Sequence, residues 1–401
     1  MNKKIKLCLF LLMLCTICAC ASQRTEPQLN ERGKEEIRLC VGSYNDWLEG
    51  AVADYNKQSS RYEIVVRWCE EEEKIEEYRK QIKQELISGA GPDIISNDVL
   101  EDRNRKSYAE AGIFMDMTEF FENRENLCDK AVEFNRVNSK LYGVPISFTL
   151  NTMVTSKKLG IDSKTWTMDK CMQVMKESGG KVFCKESDVD SGEETGMYVL
   201  QCMGMEGVEQ FTDSTRGISA FMQPEFVELL EFAKGYADSN PKGEKDFAFG
   251  MGTINNMKGF LFWEELFGET VSYIGYPSPD GGVFKMDVDS FYVNQSTYHK
   301  EGVSDFLNFL LSEKQQKQLI AGEDSHFPVR MDVLDNMWSE AKEEEKAFWQ
   351  MLEQSVYVTH QNDIEEIVRE EVMSFFTGAK TAKEVAMIID TRVQLYLDRI
   401  G

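Results

Sequence analysis

Apolar positions along the chain switch between two periods. Ile37-Arg38-Leu39-Cys40-Val41-Gly42 alternates and predicts a strand. Trp47 to Asn56 carries Trp47, Leu48, Ala51, Val52 and Tyr55 at the spacing of one helical face. Tyr62 to Trp68 predicts a second strand, and Ile75 to Ile87 a second helix closed by Gly89 and Gly91-Pro92. Asp93-Ile94-Ile95 then reads as a short buried strand. A β-α-β-α-β order predicts a parallel sheet covered by helices, and ligands of such sheets bind beyond the carboxyl ends of the strands. The alternation resumes after Val144-Pro145 with a strand from Thr253 to Met257. Helices are predicted over Val303 to Ile320, Asp363 to Phe376 and Ala382 to Leu397.

The amino terminus follows other rules. Lys3, Lys4 and Lys6 precede an apolar run, Leu7 to Ile17, that is too short to span a bilayer. Ile17-Cys18-Ala19-Cys20 has the pattern of a bacterial lipobox, which implies cleavage after Ala19 and lipidation of Cys20. Residues 1–19 are therefore expected to be a signal peptide. Residues 20–34, polar and containing Ser, Gln, Asn, Pro and Gly, are expected to be a lipidated tether. This puts the protein on the extracytoplasmic face of a cell membrane.

Composition narrows the partners. A net charge of −24, more negative still after loss of the leader lysines, repels phosphate backbones and excludes a nucleic-acid partner. Hydrophobic residues at 42% fit a globular chain long enough for two cores. Beyond Cys20 lie Cys40, Cys69, Cys128, Cys171, Cys184 and Cys202, an even set that permits disulfides outside the cell. Cys40 falls in an apolar strand pattern, so buried free thiols stand as the alternative. The acidic run Glu70 to Glu73 reads as a solvated connection rather than a calcium site, because Lys74 and Arg79 suit helical pairing.

The order of several small motifs resembles the family-1 extracellular solute-binding proteins of bacterial ABC importers, the maltose-binding-protein-like group. The motifs are Ala53-Asp54-Tyr55-Asn56-Lys57, Gly91-Pro92-Asp93-Ile94-Ile95, Leu141-Tyr142-Gly143-Val144-Pro145 and Thr165-Trp166-Thr167, followed by Phe249-Gly250-Met251-Gly252, Phe306 to Gln316 and Phe327-Pro328-Val329. Each is weak alone, and the signal lies in their order and spacing. The resemblance implies an α/β, periplasmic-binding-protein-like fold of two discontinuous α/β lobes, joined by hinge strands, with a ligand cleft between them. Lobe one would hold 35–147 and 283–327, and lobe two 148–282 and 328–401. It also implies a monomeric binding protein that delivers a sugar, an oligosaccharide by family habit, to ABC permease subunits. No cofactor or metal is expected. Val154-Thr155-Ser156 and Asp287 to Phe291 depart from the family pattern, and that leaves the solute open.

A sugar offers hydroxyls at its edges and C–H faces above and below, so its site calls for aromatic platforms and planar hydrogen-bonding groups. Tyr44 and Trp47 after strand one, and Asn97 and Asp98 after strand three, are candidates on loops at strand ends. The competing reading makes Asn45 or Asp46 a helix cap, packs Trp47 inward and gives Asp98 a capping role. By resemblance, Phe148 and Thr149 align with cleft-facing positions, Asn151 serves the hinge, and Tyr198 takes an aromatic-platform position. Phe260 and Trp263 are three apart, and one is expected to face the ligand while the other is core. Trp166, Trp338 and Trp349 fall on helix starts or periodic faces and are expected to pack.

Nothing marks an enzyme. Among 69 acidic residues carboxylate pairs are inevitable, a GxSxG serine motif is absent, and His299, His326 and His360 lack HExxH spacing. A surface glycan-processing enzyme and a ligand-free scaffold or sensor lipoprotein remain as alternatives.

Overall fold

The computed structural model describes residues 29–71, 74–100, 102–121, 126–177, 196, 200, 210–213, 216–239, 248–322, 325–338, 342–357 and 362–400. Its main elements, in chain order, are β1 (Glu35–Val41), α1 (Asp46–Gln58), β2 (Tyr62–Trp68), α2 (Ile75–Ile87), β3 (Ile94–Ser96) and β4 (Gly143–Ser156). They continue with α3 (Met168–Glu177), α4 (Pro224–Ser239), β5 (Phe249–Ile254), α5 (Met257–Phe267), β6 (Val271–Tyr273) and β7 (Lys285–Val293). The last are α6 (Lys300–Leu310), α7 (Glu313–Ala321), β8 (Phe327–Pro328), α8 (Lys342–Gln354), α9 (Asn362–Phe376) and α10 (Ala382–Ile400).

These elements fall into two compact units. The first takes the described residues of Met1–Leu100, Asn104–Ile146 and Asp289–Asp324; the second takes those of Ser147–Val288 and Ser325–Gly401, with Asp102 and Arg103. Strands β4 and β7 each begin in one unit and end in the other. The first half of β7 belongs to the second unit because Lys285 and Met286 pair with Val356 and Tyr357 there.

In the first unit β1 lies between β2 and β3, both parallel to it, with Val41 opposite Trp68 and Cys40 opposite Ile95. The end of β7 pairs antiparallel with β3. Alternation in β1 buries Ile37, Leu39 and Val41, while α1 buries Leu48, Ala51, Val52 and Tyr55. Asn45 caps α1, its side chain accepting the Leu48 amide, which decides between the two capping candidates. Ile82, Leu86, Ile95, Tyr108, Phe114 and Tyr292 build the core on one face of this sheet. Buried Asp93 accepts from the Arg38 amide at 2.9 Å and the Thr297 hydroxyl at 2.7 Å, so its carboxylate is bonded as burial requires.

The second unit is organised on β4, with β5, β6 and β8 all antiparallel to it. One core gathers Trp166, Phe226, Phe249, Val372, Phe376 and Ile389. A second gathers the rings of Phe148, Phe260, Phe327, Trp338 and Phe348.

Two segments differ from the expected elements. The helix predicted over Val303 to Ile320 is two helices, α6 and α7, because Ser312 caps the second by accepting the Gln315 amide. The strand predicted from Thr253 to Met257 runs instead over β5, since Asn256 caps α5 and Met257 already belongs to that helix. Cys40, Cys128 and Cys171 are buried free thiols, and Cys69 is a half-buried one. Cys184 and Cys202 lie outside the described residues, as does Cys20.

Candidate functional site

The carboxyl ends of β1, β2 and β3 form one edge of the first unit, since the register sets Val41 opposite Trp68 and Cys40 opposite Ile95. In a parallel sheet this is the edge where loops and side chains gather to meet ligands. The chain leaves β1 through Gly42, Ser43 and Tyr44 before Asn45 starts α1. It leaves β3 through Asn97 and Asp98.

Asp98 joins the two loops. Its Oδ2 accepts the backbone N–H of Gly42 and of Ser43, each at 3.0 Å, and its Oδ1 accepts the Ser96 hydroxyl. Position 42 needs glycine for this approach, because a Cβ there would lie 2.7 Å from Asp98 Oδ2. Arg79 secures the same turn from below, donating to the Asp98 carbonyl from Nε at 3.2 Å and Nη2 at 2.9 Å. Asn97 exchanges two hydrogen bonds with the Ser290 backbone, at 2.9 and 2.8 Å, so its amide holds β7.

Tyr44 is 58% exposed, with its ring centroid 5.2 Å from that of half-buried Trp68 and the planes inclined by 50°. Its hydroxyl donates to Glu49. That bond, with Asp46 close by, raises the phenol pKa above its ordinary value. Trp47 is half-buried and its indole N–H is committed to the Gln315 carbonyl at 3.0 Å, the inward-packing alternative.

The second unit treats its candidates differently. Phe148 is 0% exposed and packs on Phe327 and Phe348. Thr149 is buried beside it in β4. The expectation that one of Phe260 and Trp263 turns outward is corrected, for Phe260 is 0% and Trp263 2% exposed. Three residues apart on α5, they share its inward face: Phe260 meets Tyr273 and Trp338, while Trp263 covers Gly250 and Gly252 of β5. Asn151 accepts from the Thr253 hydroxyl at 2.6 Å, a cross-strand bond between β4 and β5. Trp166 and Trp338 are fully packed and Trp349 partly so, while Tyr198 lies outside the described residues.

The structure thus brings Tyr44, Asn97 and Asp98 to one edge and encloses Phe148, Thr149, Phe260 and Trp263. Trp68 stands at the same edge and was not among the expected candidates. Its signal was present, as the last residue of the second strand, at the same kind of strand end that drew attention to Tyr44 and Asp98. The second unit also has a surface cavity of about 260 Å³ between β6 and α8, lined in part by Asp162, Glu264, Tyr273, Glu343 and Glu344. Glu343 and Glu344 sit in the first turn of α8, where acids complement the helix dipole without any ligand.

Residues 42–317 match the family of bacterial extracellular solute-binding proteins, and the chain belongs to that family. No curated protein matches it. Among solved structures it is similar to an ABC transporter solute-binding protein from Thermotoga lettingae bound with α-D-tagatose, at 16% identity and a TM-score of 0.62 over 90% of this chain and 99% of that one. It is also similar to the ABC substrate-binding protein Lmo0181 from Listeria monocytogenes in complex with cycloalternan, at 16% identity and a TM-score of 0.62 over 91% and 99%. The sugar-binding protein MalE from Xanthomonas citri gives 16% identity and a TM-score of 0.63 over 91% and 98%. The periplasmic-binding-protein-like α/β fold is therefore that of this chain.

Proposed function

We propose that the protein is the extracytoplasmic receptor of an ABC importer, anchored through lipid on Cys20, which captures a carbohydrate and passes it unchanged to permease subunits. The observation that carries this reading is family membership joined to a fold shared, over nine-tenths of the chain, with binding proteins that hold tagatose or cycloalternan. The loop edge of the first unit supports it chemically, with an exposed ring and carboxylates that suit C–H faces and hydroxyl donors. A monomer suffices for this role.

Thermal unfolding against a panel of neutral mono- and oligosaccharides tests the reading. A solute that binds only the folded state adds about 2.7 kcal/mol of stability at a hundred times its Kd. The expected result is a clear rise in Tm with one carbohydrate, which chromatography recovers intact. Hydrolysed sugar would favour the glycan-processing alternative, and no shift with any solute the scaffold alternative.

A further inference from the structure

Tyr44 is an exposed ring that three separate devices hold in place. Trp68 supports one side of the ring, Glu49 takes the hydroxyl, and Asp98 fixes the two backbone amides just before it. A solvated loop tip needs none of these. The ring pair stands at the carboxyl edge of a parallel sheet, where Tyr44 is exposed and Trp68 half-buried. Among the described residues, exposed Asp46 and Glu49 lie beside the Tyr44 hydroxyl, and exposed Glu70 and Glu71 follow Trp68 in the chain. Among the described residues, Arg67 pairs with Glu85, Lys74 with Glu71, and Arg79 with Glu76 and the Asp98 carbonyl.

We propose that Trp68 and Tyr44 together form a stacking platform for a pyranose ring of a neutral carbohydrate, and that Asp98 is the positioning residue that fixes the platform's loop. This rests on the carbohydrate reading above and names the residues and the charge class within it. Apolar C–H faces cover aromatic rings, and ring hydroxyls donate to carboxylates that can only accept. A sugar acid or sugar phosphate meets like charge at this edge and is rejected.

The test uses the mature protein with maltotriose, cellotriose and xylotriose as neutral probes and trigalacturonate as the anionic one. Calorimetric titration should find a neutral ligand, which Tyr44→Ala and Trp68→Ala each weaken about thirtyfold, as lost aromatic anchors do. Trp68→Phe should restore most of the affinity; Trp68→Leu replaces Trp68→Ala if the latter does not fold. Asp98 is read without ligand. The emission lost in Trp68→Phe reports Trp68, and its quenching by acrylamide should rise in Asp98→Ala and return towards wild type in Asp98→Asn, whose amide oxygen still accepts both N–H groups. If a neutral sugar binds but Tyr44→Ala and Trp68→Ala bind it within twofold, the platform is wrong while the carbohydrate reading stands. If no sugar binds, both fall, and unchanged quenching in Asp98→Ala separately overturns its positioning role. Equal or tighter binding of trigalacturonate overturns the neutral class.

Discussion

At position 250 a methyl group would sit 2.1 Å from Trp263 Cζ3, and at position 252 another would sit 2.4 Å from its Cζ2. The indole therefore lies flat on bare backbone, and both glycines are there for close approach rather than for a turn. Gly250→Ala is expected to destabilise the second unit by about 1–3 kcal/mol through overpacking. Trp263→Leu should cost stability alone yet offset part of the Gly250→Ala loss, because the two residues share one contact. Denaturant melts of the two single variants and the double variant check this, and additive losses would show that the ring can move aside. The same contact explains why Trp263 is not an open platform. Turning it outward would remove the atoms nearest both glycines and leave a void to be refilled.

Among the elements, the opening of the chain was plain in its periodicity: β2 and α2 have the predicted bounds, and β3 is shifted by a single position. What the pattern did not reveal was the break between α6 and α7, because Leu310, Leu311 and Leu319 sustain an apolar face across it. The cap itself was visible as Ser312 with Gln315 three residues on, a signal weaker than the hydrophobic run around it. Ser312→Ala should cost about 1 kcal/mol in thermal or denaturant unfolding, the usual worth of such a cap. Candidate residues could be chosen by type and strand end, as Tyr44 and Asp98 were, but their orientation could not be read. Whether Phe260 faces in or out depends on Trp338 and Tyr273, which no local period can place.

Helices α9 and α10 carry the pH-dependent prediction at this scale. Glu371 accepts from Lys380 at 2.8 Å and from Arg392 at 2.7 Å. The Lys380 bond, with Arg392 helping and partial burial opposing, holds its carboxyl below the usual value of 4.5. A depressed native pKa means the contribution is fully present above the unfolded value and disappears as pH falls through the native one. Both cations are about a third exposed, so solvent limits the gain to about 1 kcal/mol. Glu371→Gln should thus lower the denaturant midpoint at pH 7, and the gap to wild type should shrink as pH falls below the ordinary 4.5 and through the lowered native value. A gap independent of pH would assign the loss to packing.

For the molecule as a whole, attachment and solubility divide along the chain. Among the described residues no helix is long and apolar enough to cross a membrane, and a surface of net charge −24 gains nothing from an anionic bilayer. The proposed anchor is chemical and rests on the lipobox pattern at Cys20. A single acyl chain binds membranes only marginally, whereas the diacylglycerol that a lipobox cysteine receives supplies two chains at once, which is enough for stable retention. Cys20→Ala removes the thioether site while leaving Lys3, Lys4, Lys6 and the apolar run Leu7 to Ile17 to direct export. The variant should lose metabolic labelling by a fatty acid, and it should either appear in the medium or remain in the membrane as the uncleaved precursor. These fates differ in mass by the leader, so an immunoblot of each fraction separates them. Whichever way it is released, the soluble variant should keep the wild-type Kd for the solute, since Cys20 and the tether residues 20–34 precede β1. Wild-type lipid labelling in Cys20→Ala would refute the assignment and send the search for the anchor elsewhere in the chain.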